Sequence, residues 1–153
     1  MRIYIDGDHC NVIGKTERVA KKHDIECHVY CDTSRCIESD YSQIHIVDCG
    51  PDAVDFAILK ACEKDDVVIT NDIELASFAL TRGCSVLNTR GNQYTRDNIK
   101  PLLAGRYLRQ KERRRTKRNN IKASSMSTYT TQQHEGYLKV LDSVIKQTRR
   151  KAQ

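Results

Sequence analysis

Five short, largely apolar runs recur along the first ninety or so positions and limit what this chain can fold into: Ile3–Ile5, Glu26–Tyr30, Ile44–Val47, Val67–Thr70 and Cys84–Leu87. Runs of this length, cut off by polar and turn-forming residues, read as strands. Helical stretches alternate with them: Val12 to Lys22, Asp52 to about Glu63, from Asp72 to about Thr81, and onward from Tyr94-Thr95. Pro51 suits a helix start and Gly83 a helix end, while Thr95 is placed to cap a helix with Asp97 in its first turn. Short strands alternating with helices indicate a parallel sheet covered on both faces, a three-layer α/β/α fold. The helix from Asp52 carries Ala53, Val54, Phe56, Ala57, Ile58, Leu59, Ala61 and Cys62, apolar nearly all round, and is expected to be buried.

At 153 residues the chain is one ordinary domain with a tail. We read 1–104 as the α/β domain. Residues 105–153 form a basic segment, the polar linker Ser124–Thr131 and an amphipathic helix that docks on the same domain through Tyr137, Leu138, Leu141, Val144 and Ile145. No apolar run approaches the roughly 20 residues that cross a bilayer, and no basic-then-apolar leader opens the chain, so a soluble cytoplasmic protein is expected. Seven cysteines without a leader argue against a disulfide framework. Cys27, His28, Cys31 and Cys36 are conceivable zinc ligands, set against the plainer reading of buried small hydrophobes and loop thiols.

The net charge of +6 conceals a division. Residues 1–104 carry 12 Lys and Arg against 17 Asp and Glu, a net of −5, whereas 105–153 carry 14 against 3, a net of +11. The densest basic run, 106–118, either stays solvated or finds phosphates. A basic arm and an acidic site in one small chain are what phosphodiester cleavage requires. The acids begin at the first strand's end, Asp6-Gly7-Asp8. Two carboxylates there repel unless a cation or donors separate them. In an open parallel sheet, ligands bind beyond the carboxyl ends of the strands where strand order reverses. With order 3-2-1-4-5, Asp6 and Asp8 face Asp72 across that point, and Asp52 and Asp55, three apart on a helix, share a face beside them. Magnesium or manganese would offset their repulsion and act as a Lewis acid. Each acid also has a structural explanation: Asp52 in a first turn, Asn71 with Glu74 as a capping pair beside Asp72, Asp8 as a cap of the first helix. His9 and Cys10 are a base and a nucleophile by type, but adjacent residues point in different directions.

The series Ile5–Cys10, Gly50–Asp55, Val68–Ala76 and Leu87–Gly91, followed by Tyr94-Thr95 and Asn98-Ile99, resembles the YaiI/YqxD family of uncharacterised bacterial proteins, with motifs in the same order from residue 1 to about 109. That family is similar to the PIN-like nuclease superfamily. The resemblance implies a sheet of order 3-2-1-4-5 and an acidic divalent-metal site. By this resemblance Asp6, Asp8, Asp55 and Asp72 occupy the acidic motif positions, with Asp52, Asn71, Arg90 and Arg106 lining the same region. The chain departs from the family pattern at Gly7, His9, Asn11 and Thr89, and carries Lys122–Ser125 where the family has a glycine-rich segment.

The function expected is a magnesium- or manganese-dependent nuclease, with RNA the favoured polymer. Asp6, Asp8, Asp55 and Asp72 would bind the ion or orient the attacking water. Arg90, Arg106, Arg113, Arg114, Arg115, Lys117 and Arg118 would hold phosphates, so that affinity falls with salt. The alternatives are a non-catalytic nucleic-acid-binding or regulatory module of the same fold, and a metal site serving only stability. Self-association into a homo-oligomer is compatible with the sequence.

Overall fold

The computed structural model describes residues 1–8, 10–116 and 131–153; His9, Lys117, Arg118 and the linker at 124–130, all singled out above, lie outside the described residues. Strands β1 (Ile3–Asp6), β2 (Cys27–Asp32), β3 (Gln43–Val47), β4 (Val67–Ile69), β5 (Ser85–Leu87) and β6 (Gln93–Tyr94) form one sheet. Its order is β3-β2-β1-β4-β5-β6. The five expected strands are parallel in the expected order, and β6, a two-residue strand antiparallel to β5, is added to them. Tyr94, expected at a helix start, closes this hairpin instead, and the helix begins two residues later.

Alternation along β1 sends Ile3 and Ile5 to one face of the sheet and Tyr4 to the other, so one strand feeds two cores. The first core is covered by α1 (Ile13–His23) and α5 (Thr131–Ala152), and the second by α2 (Ala53–Ala61), α3 (Ile73–Thr81) and the first turns of α4 (Arg96–Thr116). This is a three-layer α/β/α fold. The C-terminal helix docks as its periodicity predicts. Tyr137, Leu141, Val144 and Ile145 are buried, and the Tyr137 hydroxyl lies 2.6 Å from that of Thr16 in α1. Gly91 permits this docking. It takes a φ of +85°, and a Cβ there would lie 2.9 Å from the Tyr137 Cα.

Two expectations are corrected. Helix α2 is not buried all round: Ile58 is inaccessible, but Phe56 is 70% exposed, because only one side of the helix meets the sheet. Asp8 does not cap α1, whose first residue follows Val12 without a side-chain cap. The basic run, for its part, is helical as far as it is described, since α4 passes without a break from the acidic part of the chain to Thr116.

Candidate functional site at the carboxyl edge of the sheet

The sheet order reverses between β1 and β4, and their register (Ile5 opposite Ile69) brings Asp6 level with Thr70. Asp6 is completely buried. Burying a carboxylate is costly unless donors meet it. The Thr70 hydroxyl donates to Asp6 Oδ2 at 2.9 Å, and Thr70 Oγ1 itself accepts the backbone N–H of Asp72 at 3.0 Å. One threonine thus joins the end of β1 to the start of α3. Its signal in the sequence was a lone hydroxyl closing an apolar strand, and the sequence reading passed over it.

Asp72, rather than Asn71, is the N-cap of α3. Its Oδ1 accepts from the backbone N–H groups of Glu74 (2.7 Å) and Leu75 (3.4 Å). The same oxygen accepts from Arg106 Nη1 at 2.8 Å, and Glu74 lies 4.0 Å from Arg106 Nε. Burial works against the charge of Arg106, but the bond to Asp72 and the charges of Asp72, Glu74 and Asp55 hold its guanidinium more firmly protonated than usual. Arg106 thus sets a cation among the acids of this edge.

Asp8 turns toward β2: its Oδ1 accepts from the Asp32 N–H at 3.1 Å, while its carbonyl oxygen accepts from Arg35 Nη2 at 2.6 Å. Arg35 and Asp32 are further edge residues that the sequence reading missed, since Cys31–Gln43 reads only as a polar loop. Two bonds from Ser34 hold the Asp32 carboxyl below its usual range. Asp52 precedes α2 in a left-handed conformation (φ +57°) and makes no capping bond through its side chain. With Asp55, Glu74, Phe56, Leu59, Leu75 and Phe78 it lines a groove between α2 and α3. Asn71 turns the other way, accepting from the Thr89 backbone N–H and hydroxyl at 3.1 and 3.0 Å. It borders a polar cavity of about 350 Å³ shared with Asn88, Arg90, Asn92 and Tyr94. Arg113, Arg114 and Arg115 are exposed on the last turns of α4, where cations suit the helix dipole whatever else they meet.

The expected acids therefore divide. Asp6 and Asp72 are joined through Thr70, Asp55 and Asp52 border the adjoining groove, and Asp8 is tied to the end of β2. Among the described residues, no three His, Cys, Asp or Glu side chains are grouped to hold an ion. What the edge offers a hard cation is carboxylate oxygens in ones and twos, the kind of donor through which magnesium is held together with waters and substrate phosphates. The zinc set does not assemble. Cys27 and Cys31 stand four residues apart in one strand, about 13 Å by strand rise, and His28 lies on the opposite face from both. Nor is Cys10 a nucleophile: its Sγ donates to the Ile69 carbonyl at 3.6 Å, and burial, with Asp6 beside it, pushes the thiol well above its usual range.

The fold and this edge define a class: a mostly parallel α/β/α protein with buried and half-buried carboxylates at its topological switch point. A model of the uncharacterised YaiI/YqxD family matches residues 4–147. Relatives called UPF0178 proteins extend the match. One from Clostridium acetobutylicum is 39% identical over 128 residues, covering 84% of this chain and 86% of its own. One from Lachnoclostridium phytofermentans is 42% identical over 119 residues, covering 78% and 80%, and one from Natranaerobius thermophilus is 38% identical over 119, covering 78% and 81%. The chain belongs to the YaiI/YqxD family. No solved structure matches it. Among the described residues, no helix is long and apolar enough to cross a membrane.

Proposed function

We propose that this chain is a divalent-metal-dependent phosphodiesterase that cleaves RNA in the cytoplasm. The observation that carries the reading is the buried Asp6 carboxylate at the switch point, coupled through the Thr70 hydroxyl to the start of α3 at Asp72. A carboxylate buried beyond the strand ends at the switch point stands where an open parallel sheet receives its ligands, which supports a functional role for it. Asp6 and Asp72 would hold magnesium or manganese, with Asp8 and Asp55 orienting water around it. When bound, the ion supplies a Lewis acid for the phosphoryl oxygen. The chain's own residues do the rest. Thr70 fixes the rotamer of Asp6, and Arg90 and Asn71 border a polar cavity large enough for a phosphate and its sugar. Arg106 and the cations at 113–118 neutralise the polymer, which makes binding salt-dependent.

The test is a magnesium and manganese titration of the purified wild type and of Asp6→Asn against RNA and DNA oligonucleotides. Metal-dependent cleavage lost in the variant, with the circular dichroism spectrum and melting temperature retained, supports the reading. Cleavage retained by the variant removes it.

A second reading rests on a specific observation, the ion pair of Asp72 with Arg106, which supplies countercharge from within the chain. On that reading the fold binds nucleic acid without cleaving it. Steeply salt-dependent RNA binding with neither turnover nor metal affinity selects it.

A further inference from the structure

Two surfaces of this molecule are apolar, exposed and opposite in charge. The first is the groove between α2 and α3. Phe56 and Phe78, 70% and 61% exposed, flank it, Leu59 and Leu75 form its floor, and Asp52, Asp55 and Glu74 rim it. Nothing in the packing of α2 on the sheet calls for Phe56, since the buried contacts of that helix are made by Val54 and Ile58. The second is the distal half of α4. From Tyr107 to Arg115 every residue is exposed, including Tyr107 at 68% and Leu108 at 59%. At 100° per residue, Tyr107, Leu108, Lys111, Arg114 and Arg115 fall on one side of the helix, within about 120°. That side is two apolar residues among three cations, the complement of two phenylalanines among three acids. Within one chain α4 reaches the rim of the groove at Arg106, whose Nε lies 4.0 Å from Glu74.

We infer that a second copy of this chain occupies the groove: the Tyr107–Arg115 segment of each protomer lies between α2 and α3 of the other in a twofold dimer. Twofold exchange satisfies both surfaces on both chains and leaves no open end for further growth. It also doubles the area that a single arm would bury, toward the roughly 1,200 Å² and above of stable interfaces. Apolar anchors in a groove supply the affinity, and the acid and base rims set register and partner choice. Because Asp55 belongs both to the groove rim and to the acidic edge, the partner's cations would then stand beside the carboxylates, and each site would be completed by the other protomer.

The experiment is sedimentation equilibrium of the full chain, wild type and two double variants, Phe56→Ala with Phe78→Ala and Tyr107→Ala with Leu108→Ala. The wild type should form a dimer that weakens as salt is raised. Each double variant should weaken it by roughly tenfold or more, as removal of apolar anchors does. The decisive sample is the equimolar mixture. The groove variant keeps an intact arm and the arm variant an intact groove, so the mixture restores one of the two contacts and should associate more tightly than either variant alone and more weakly than the wild type. A monomeric wild type overturns the inference, as does a dimer indifferent to both variants or a mixture no tighter than its components. An arm variant that loses RNA binding while the wild type is monomeric assigns the arm to nucleic acid instead. Asp6→Asn should leave the dimer intact, so failure of the nuclease reading and failure of this one are told apart.

Discussion

At the scale of single residues, Thr70 is the joint of the site, because one hydroxyl donates to the buried Asp6 and accepts from the Asp72 N–H. Thr70→Val keeps the shape and removes both bonds. A buried carboxylate that loses a donor costs about 1–3 kcal/mol, so we expect a loss of that size in urea unfolding and a larger proportional loss of any metal-dependent activity. A wild-type unfolding midpoint in Thr70→Val contradicts this role. Asp142 gives a prediction of a different kind. Lys146, His23 and Lys22 bond its carboxylate and hold it far below the usual 3.8. A carboxyl depressed in the folded state contributes stability above its unfolded pKa, and that stability is lost as pH falls through the folded value. Asp142→Asn should therefore lower the melting temperature at neutral pH, with a loss of unfolding free energy of at most about 1 kcal/mol for pairs open to solvent. The gap should begin to close below pH 3.8, as the carboxyl of the unfolded chain takes up its proton, and vanish only as pH falls through the far lower value of the folded state. The acids were legible in the sequence because strand ends are legible. Their partners were not, because hydrogen-bond direction depends on register. Asp8 sits two residues from Asp6, yet it is the Asp32 N–H that fixes its direction.

At the scale of elements, short strand-like runs alternating with helical stretches foretold the parallel sheet and its helical layers. What escaped was β6, since Gln93–Tyr94 is too short to carry a period, and the orientation of α2. A helix apolar all round has no preferred face, so its sequence could not say that Phe56 would be the residue left outside. The docking of α5 was legible from Tyr137, Leu141, Val144 and Ile145, but the reason it fits lies in Gly91. Gly91→Val would meet the Tyr137 backbone at 2.9 Å in a left-handed conformation that a β-branched residue resists. We expect a loss of about 2–4 kcal/mol from strain and loosened packing, and faster proteolysis within α5 than in the wild type. Leu141→Ala, which empties a fully buried position between the same helix and the sheet, should cost about 2–5 kcal/mol without altering the carboxyl edge. Unchanged stability of either variant would mean that α5 is not part of the core.

At the scale of the whole molecule, the charge division of the sequence becomes a spatial one along a single helix. The first turns of α4 pack on α3, Arg106 meets the acids of the edge, and the cations beyond it stand clear of the domain. Acidic edge and basic arm are thus placed next to each other by one helix, and the dimer we infer gives that helix a second position in the groove of a partner. The central claim is that the buried carboxylate is retained for metal-dependent chemistry. The most direct test compares cleavage of an RNA oligonucleotide by the wild type and by folded Asp6→Asn across a magnesium and manganese titration. The nuclease reading requires a metal-dependent rate in the wild type that falls to background in the variant. Equal rates in the two proteins, or no metal-dependent cleavage by the wild type, would contradict it.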